Sequence, residues 1–457
     1  MPDAPGTPAP PTGALSLRDR LSLTAVLMAV GLASLDTAIA NTALPAIAAD
    51  LQASAATSIW VINAFQLAVV ASLLPCAALG DRFGPRRVFI AGLVVFTVAS
   101  LACALAGSLG QLAVARAVKG VGAGALMSVN IALVRLYFPP QQLGRGMGLN
   151  ALTVGVAFAA GPTVASLVLS VASWPWLFWM NVPLGLLALA LAWPTLPHSA
   201  PRGAGFDAWA AMLTAGGFAA LIFALAAAAQ HEPAAIVLPA LLLAVALLGA
   251  LLRHQAGHPA PMLPVDLLRR PLFALSAMTS VASFAAQGLA FVSLPFFFEQ
   301  TLHRNPIDTG FLMAPWAIVV ALAAPVAGRL SDRYPPGLLC AVGLALLSAG
   351  LAALALLTPT ASVADIVWRM ALCGIGFGLF QSPNLNAIMS SAPPQRSGSA
   401  SGMIALSRLL GQTTGAALVA LCFGLAGTGG PVLALGLGAG CAALAALASG
   451  LRLRVGA

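Results

Sequence analysis

The chain has 457 residues, of which 60% are hydrophobic and only 7% are charged. This composition excludes an ordinary soluble protein, because too few charged groups are available to face water. The net charge is +9, but no polar segment of the sequence carries a basic run with interleaved aromatic residues. The sequence therefore does not indicate nucleic-acid binding. The six cysteines lie in apolar stretches without paired spacing, and neither a disulfide nor a metal site is predicted.

A helix needs about 20 apolar residues to cross the hydrocarbon core of a membrane, and the sequence holds about fourteen such stretches. The fold class predicted is therefore an all-α polytopic membrane protein with about fourteen transmembrane helices. In chain order the stretches begin near Leu21, Ser58, Val88, Gln111, Gly146, Leu177, Asp207, Ala234, Leu272, Thr309, Gly337, Asp365, Gly398 and Pro431.

Two motifs occur twice in the same order. The loop motif at 77–82 recurs at 328–333, and Arg116 with its following glycines and Asn130 recurs as Arg369 with glycines and Asn384. We therefore predict two six-helix pseudo-repeats at 20–197 and 271–451, with two inserted central helices and their loops at 198–270. A disordered cytoplasmic tail is predicted at 1–19 and a second cytoplasmic tail at 452–457. Two such repeats around a substrate path are typical of alternating-access transporters.

The positions of the arginines predict the orientation of the chain. Most fall in the tails and in alternate loops, whereas Arg304 falls in a loop on the opposite side. By the positive-inside rule, both termini are expected in the cytoplasm of a bacterium, with the protein in its inner membrane. The basic excess is then expected to contact anionic lipids.

Asp36 lies inside the first predicted span, where a carboxylate costs at least a few kcal/mol. It is the only acidic residue that we expect deep in the membrane, and it is the first candidate to carry a proton. At a rise of about 1.5 Å per residue, Asp36 and Arg116 of the fourth span lie at one level, about 22 Å from the cytoplasmic edge. Movement of Arg116 relative to Asp36 would switch the proton affinity of the acid. A static ion pair between two helices is the alternative.

Polar side chains within the spans are candidates to line a substrate cavity, although each is equally suited to bonding neighbouring helices. Lys119, the only lysine of the chain, lies one helical turn from Arg116. Because buried cations oppose positive charge, neutral, anionic or singly charged substrates are expected ahead of dications. The residues predicted for the cavity are Asn41, Lys119, Asn130, Gln381, Asn384 and Arg408.

Each copy of the loop motif combines an acidic residue with neighbouring arginines. Opposite charges at the end of a helix can form a charge-assisted network that latches the helices in one state. Simple anchoring of the arginines at the cytoplasmic surface is the alternative. The residues predicted for the latch are Asp81, Arg82, Arg86, Arg87, Asp332 and Arg333.

Several motifs resemble one known family. Residues 79–87 (Leu-Gly-Asp-Arg-Phe-Gly-Pro-Arg-Arg) resemble the signature loop of the major facilitator superfamily, and Gly161-Pro162 resembles the antiporter motif of its drug-exporting branches. The segments 35–37 and 174–183 and the span count are similar to the fourteen-helix drug:proton antiporters. Lys119 departs from the family, which has glutamine in the pattern Arg-x-x-Gln-Gly. The resemblance covers nearly the whole chain.

The resemblance implies a proton-coupled exporter of lipophilic small molecules, or drug:proton antiporter, that works by alternating access. Its expected partners are the substrate, protons and membrane lipids, and we expect a monomer without a cofactor. A proton-coupled symporter for uptake of a small organic solute is the main alternative. A membrane-embedded enzyme is less favoured, since the histidines are scattered and form no cluster. A channel is also less favoured, since a channel needs a ring of repeated pore residues and gains nothing from a repeat of two halves. The chain has no Walker motif for ATP.

Overall fold

The structure is a computed structural model that describes residues 16–134, 136–138, 143–197, 207–229, 233–255, 265–331, 333–392 and 397–455. Regular secondary structure within these ranges is helical. Of the tail predicted at 1–19, residues 1–15 lie outside the described part. The first helix already begins at Leu17, because the side chain of Ser16 accepts a hydrogen bond from the backbone N–H of Asp19 and caps the helix.

The helices follow one another along the chain with short connections. The first are α1 (Leu17–Asp50), α2 (Ala55–Ser58), α3 (Trp60–Phe83), α4 (Pro85–Ala104), α5 (Leu109–Val134), α6 (Leu143–Val171), α7 (Trp176–Trp179) and α8 (Asn181–Thr195). The middle of the chain forms α9 (Ala208–Ala229), α10 (Ala234–His254) and α11 (Val265–Leu268). The last are α12 (Pro271–Phe296), which a π-helical turn (Phe297–Thr301) extends, α13 (Pro306–Ser331), α14 (Pro336–Ala355), α15 (Val363–Ser391), α16 (Ser397–Ala426) and α17 (Gly430–Val455).

Twelve helical stretches of the described chain are long and apolar enough to cross a membrane, which confirms an all-α polytopic membrane protein. One stretch, Met403–Leu453, takes in most of α16 and α17, and the described apolar part of α9 is shorter, at Trp209–Leu221. The tail expected from residue 452 is instead helical up to Val455, and the Arg452 side chain is buried.

A single residue turns the chain between α3 and α4. Gly84 follows the last residue of α3 with φ +91°, and Pro85 opens α4. A left-handed φ favours glycine, and proline suits the first position of a helix because its missing N–H would have no partner there. The loop motif therefore forms a tight corner. This corner lies at the end of the bundle that holds Leu17 and Val455, which we call the terminal end; the opposite end is the distal end.

The repeated glycines allow close contacts between helices. A Cβ on Gly122 of α5 would lie 2.6 Å from the backbone nitrogen of Phe96 in α4. A Cβ on Gly376 of α15 would lie 2.4 Å from the backbone nitrogen of Leu347 in α14. Small residues that bring backbones together are a main source of helix association in membranes. The glycine motif of α5 and its repeat in α15 thus both allow close contact with the preceding helix.

Helices from the two ends of the chain meet along a seam. α1 packs against α12, α3 against α16, and α6 against α13. Val26 and Phe273 belong to one buried cluster toward the terminal end, and Leu44 and Phe296 to another toward the distal end. Buried residues from both ends of the chain therefore pack together in two regions of the seam.

The two helices predicted as an insertion lie beside this seam. α9 packs against both α3 and α16, whereas α10 packs mainly against α9 and leaves most of its surface exposed. Of the predicted insertion at 198–270, residues 198–206, 230–232 and 256–264 lie outside the described part.

We expect Gly122→Val to lower the stability of the purified protein by about 1–3 kcal/mol, because the added carbons meet backbone atoms of α4 that cannot yield. Gly110→Val on the same helix is the control, since a Cβ there meets nothing within 4 Å. Thermal unfolding in detergent measures both variants. Equal melting temperatures would show that the contact between α4 and α5 is not tight at Gly122.

Candidate functional site

Asp36 has no exposed surface and is held from two other helices. Its Oδ2 accepts a hydrogen bond from Nη1 of Arg116 in α5. Its Oδ1 accepts one from Nζ of Lys119 at 2.5 Å and one from Nδ2 of Asn181 in α8 at 3.2 Å. Asp36 and Arg116, which the sequence predicts close together, are thus in direct contact. We call these four residues the charge cluster.

Both cations are also held by aromatic rings and backbone. Nε of Arg116 donates to the carbonyl oxygen of Val61 at 3.0 Å, and its guanidinium carbon lies 4.2 Å from the ring centroid of Phe65. Nζ of Lys119 lies 4.7 Å from the ring centroid of Phe96 and 5.1 Å from that of Phe178. The negative faces of these rings offset part of the cost of burying positive charge.

The charge cluster is not electrically balanced. It contains one carboxylate and two cations, and none of the three is more than 1% exposed. Each buried ion loses hydration worth several kcal/mol, which only a well-placed partner restores. Both cations share this one carboxylate, and no second acidic side chain of the described residues contacts either of them.

A small polar cavity lies separately on the seam. Its volume is about 10 Å³, which is at the lower limit for one water molecule. Asn41 and Gln66 contribute amide oxygens that have no hydrogen-bond partner within the described chain. The residues that line the cavity are Thr37, Asn41, Gln66, Phe158, Gln287, Gly288, Phe291, Val292 and Gln412.

Four of the residues predicted for the substrate cavity lie elsewhere. Lys119 belongs to the charge cluster, because the charge of Asp36 draws it inward between helices. Nδ2 of Asn130 donates to Oδ1 of Asn150 at 2.7 Å, which joins α5 to α6. Asn384 donates to the backbone of α12, and Gln381 is exposed on α15.

Of the other two predicted residues, Asn41 lines the seam cavity and Arg408 is partly buried on α16.

A third buried cation, Arg452, lies at the terminal end. Nη1 of Arg452 donates to Oδ1 of Asn384 at 2.8 Å and to Oγ of Ser276 at 3.0 Å, and Nη2 donates to Oγ of Ser449 at 2.7 Å. These bonds tie α12, α15 and α17 together. Asn384 therefore has a structural contact that the sequence alone does not reveal.

The predicted latch is described only in part. The side chain of Asp81 and the whole of Asp332 lie outside the described residues. Nη2 of Arg86 donates to the carbonyl oxygen of Trp193 at 2.7 Å, near the end of α8, where unpaired carbonyls attract a cation. Arg82 lies over the ring of Phe83.

The remaining predicted latch residues, Arg87 and Arg333, are exposed at the terminal end.

Gly161-Pro162 lies where three helices meet. A Cβ on Gly161 would lie 2.3 Å from Cβ of Ala38, so α6 contacts α1 closely at this point. A Cβ on Gly310 of α13 would lie 2.5 Å from the carbonyl oxygen of Pro162, so α13 also contacts α6 closely. One turn further along, Oγ of Ser166 donates to the carbonyl oxygen of Pro306 at 2.8 Å. The motif thus contacts both sides of the seam.

Asn181 is the member of the charge cluster that the sequence analysis did not assign. It opens α8 and is fully buried, and its Nδ2 also donates to the carbonyl oxygen of Leu177. Its position in the segment 174–183, which resembles the fourteen-helix antiporters, was the available signal. Sequence spacing does not indicate that α8 turns this amide toward Asp36.

The chain belongs to the Major Facilitator Superfamily, whose sequence model matches residues 26–416. It is 50% identical over 430 residues to the uncharacterized transporter YebQ of Escherichia coli K12, covering 94% of each chain. It is 30% identical to the tetracenomycin C resistance and export protein of Streptomyces glaucescens, over 90% of this chain and 77% of that one. A crystal structure of a POT family transporter with 5-aminolevulinic acid shares the fold at a TM-score of 0.73 and 14% identity, over 94% and 95% of the two chains.

We expect Asp36→Asn to destabilise the protein by about 3–5 kcal/mol, because it leaves two buried cations without an anion. Lys119→Gln should cost less, since it leaves Asp36 and Arg116 as a balanced pair. Melting temperatures in detergent compare the two variants. If Lys119→Gln is the less stable of the two, the carboxylate is not the counter-ion that holds this cluster together.

Proposed function

We propose that the chain exports lipophilic small molecules in exchange for protons by alternating access. The observation that carries this proposal is the charge cluster, because ionised groups deep among membrane helices are costly and mark coupling or transport sites. The superfamily consists of transporters, so the chain is a transporter and not an enzyme. The proposed partners are the substrate, protons and lipids, bound to a monomer without a cofactor.

The proposed architecture has fourteen spans, which are six, two and six helices in chain order. It counts α16 and α17 as separate spans and includes α9. Two pseudo-repeats are supported by matching pairs of packed helices. α1 packs on α6 as α12 does on α16, and α5 packs on α3 and α4 as α15 does on α13 and α14. With the basic loops in the cytoplasm, the terminal end faces inward in the bacterial inner membrane.

Alternating access requires that the seam open at one end at a time. We propose that Gly161 and Gly310 provide the close contacts about which α6 and α13 move. Asp81 and Asp332 with their neighbouring arginines would latch the terminal end when it is closed. The bond from Arg86 to the end of α8 supports a role of that loop in joining helices.

Uptake by proton symport is the alternative function. It would use the same charge cluster with the opposite direction of substrate movement. The Gly161-Pro162 pair on the seam and the similarity to an export protein of Streptomyces glaucescens favour export.

The test of coupled export is a drug-accumulation panel in a pump-deficient host, with and without a protonophore. Expression of the chain should lower accumulation of at least one lipophilic compound, and the protonophore should remove the effect. Asp36→Asn should abolish proton-driven export although the protein still inserts, and Asp36→Glu should retain part of it. Normal export by Asp36→Asn under an imposed pH gradient would refute the assignment of coupling to this cluster.

The seam cavity, at about 10 Å³, holds at most one water molecule. Once the seam opens, the lining of this cavity would favour an uncharged substrate. Its described lining consists of amides, a hydroxyl, aromatic rings and small apolar groups, with no charged side chain among the residues named above. An unpaired charge entering such a site loses hydration without compensation. We therefore expect neutral aromatic compounds to be exported better than dications of similar size. Matched resistance profiles measure this, and strong dication resistance would show that an acid such as Glu299 reaches the substrate path.

A further inference from the structure

The charge cluster contains two groups that can exchange a proton. Asp36 and Lys119 share the contact between Oδ1 and Nζ at 2.5 Å. Arg116 is the third charged group, and a guanidinium stays protonated in proteins, whereas a buried lysine changes its charge readily. The coupled proton can therefore reside on the carboxyl group or on the amine.

The balance of charge separates these two possibilities. Adding a proton to Asp36 would leave Arg116 and Lys119 as two neighbouring buried cations without an anion. Removing a proton from Lys119 would leave Asp36 and Arg116 as a neutral, directly bonded pair. Since an unpaired buried charge is far more costly than a paired one, the second change is the favourable one in this dry site.

The contacts of Asp36 allow Lys119 to change its charge without breaking the remaining pair. Arg116 bonds Oδ2 and is fixed independently through Nε to the carbonyl oxygen of Val61. Oδ1 keeps the hydrogen bond from Asn181 when Lys119 is neutral. The amide oxygen of Asn181 has no partner in the described part of the chain and can accept a hydrogen bond from a displaced amine.

The neighbouring helices contribute few other charged or titratable groups to this site. α1 presents Asp36 and α5 presents Arg116, while α4 presents the thiol of Cys103 near Lys119. The other described contacts of Lys119 are the rings of Phe96 and Phe178, which accommodate either an ammonium or a neutral amine.

We propose that Lys119 takes up and releases the coupled proton, and that Asp36 stays ionised in its pair with Arg116 throughout the cycle. This proposal rests on the proposed proton-coupled function and replaces Asp36 as the proton carrier expected from the sequence. The ammonium of Lys119 gives one proton to water when the cluster opens to the cytoplasm and becomes a neutral amine. The amine regains one proton from water on the other side.

The single lysine allows a direct test. Lysine labelled with ¹⁵N at Nζ, incorporated by a lysine auxotroph, gives one side-chain signal from the whole protein in lipid nanodiscs. Its ¹⁵N chemical shift distinguishes an ammonium from a neutral amine. We expect a neutral-amine population at pH values at which export is active. An ammonium signal alone at each of those pH values would overturn the proposal, whether or not transport is driven by protons.

Two substitutions add a functional test. Lys119→Arg keeps a permanent positive charge, and Lys119→Gln keeps a neutral polar group, so neither variant can exchange a proton at this position. Both should lose concentrative, proton-driven export of the compound found in the accumulation panel. Both should retain its exchange at equal concentrations across proteoliposome membranes. Proton-driven export by Lys119→Arg at more than about half the original rate would contradict the proposal.

A failure of the proposed function would give a different result. If the chain is not proton-coupled, the unmodified chain would transport the compound independently of any proton gradient. Lys119 would then carry no coupled proton, whatever its NMR signal.

Discussion

Asp36 is buried between Arg116 and Lys119, and these ion pairs hold α1 against α5. Three ionised groups are removed from water at a place where membrane helices ordinarily carry none. They persist there because α5 supplies both cations from one face, one turn apart, and α1 supplies the acid. The packing of α5 against α3 and α4 through its glycines holds these cations at a fixed depth.

The charge cluster and the seam cavity are separate, yet α1 belongs to both. Asp36 contacts α5 and α8, whereas its neighbour Thr37 and Asn41, one turn further along, line the cavity. In the function proposed above, a change of charge in the cluster would alter the contacts on one face of α1, and the substrate would contact the other face. A proton and a substrate would then influence each other without competing for one carboxylate.

The sequence could predict the membrane fold and the approach of Arg116 to Asp36. Both follow from local rules, namely apolar length and helical rise. It could not place Lys119 or Asn384, because spacing within one helix does not show that their partners are Asp36 of α1 and Arg452 of α17. Only the packing of α8 and α17 shows that Asn181 completes the charge cluster and that Arg452 occupies the terminal end.

In the proposed function, the proton acts in the charge cluster and the substrate binds elsewhere. The most direct measurement is the pH change of weakly buffered proteoliposomes when a gradient of the exported compound is imposed. With the unmodified chain, protons should move in the direction opposite to the compound. With a double variant carrying Asp36→Asn and Lys119→Gln, the compound should move down its gradient without any proton movement. Proton movement that persists in the double variant would place the coupling site outside the cluster.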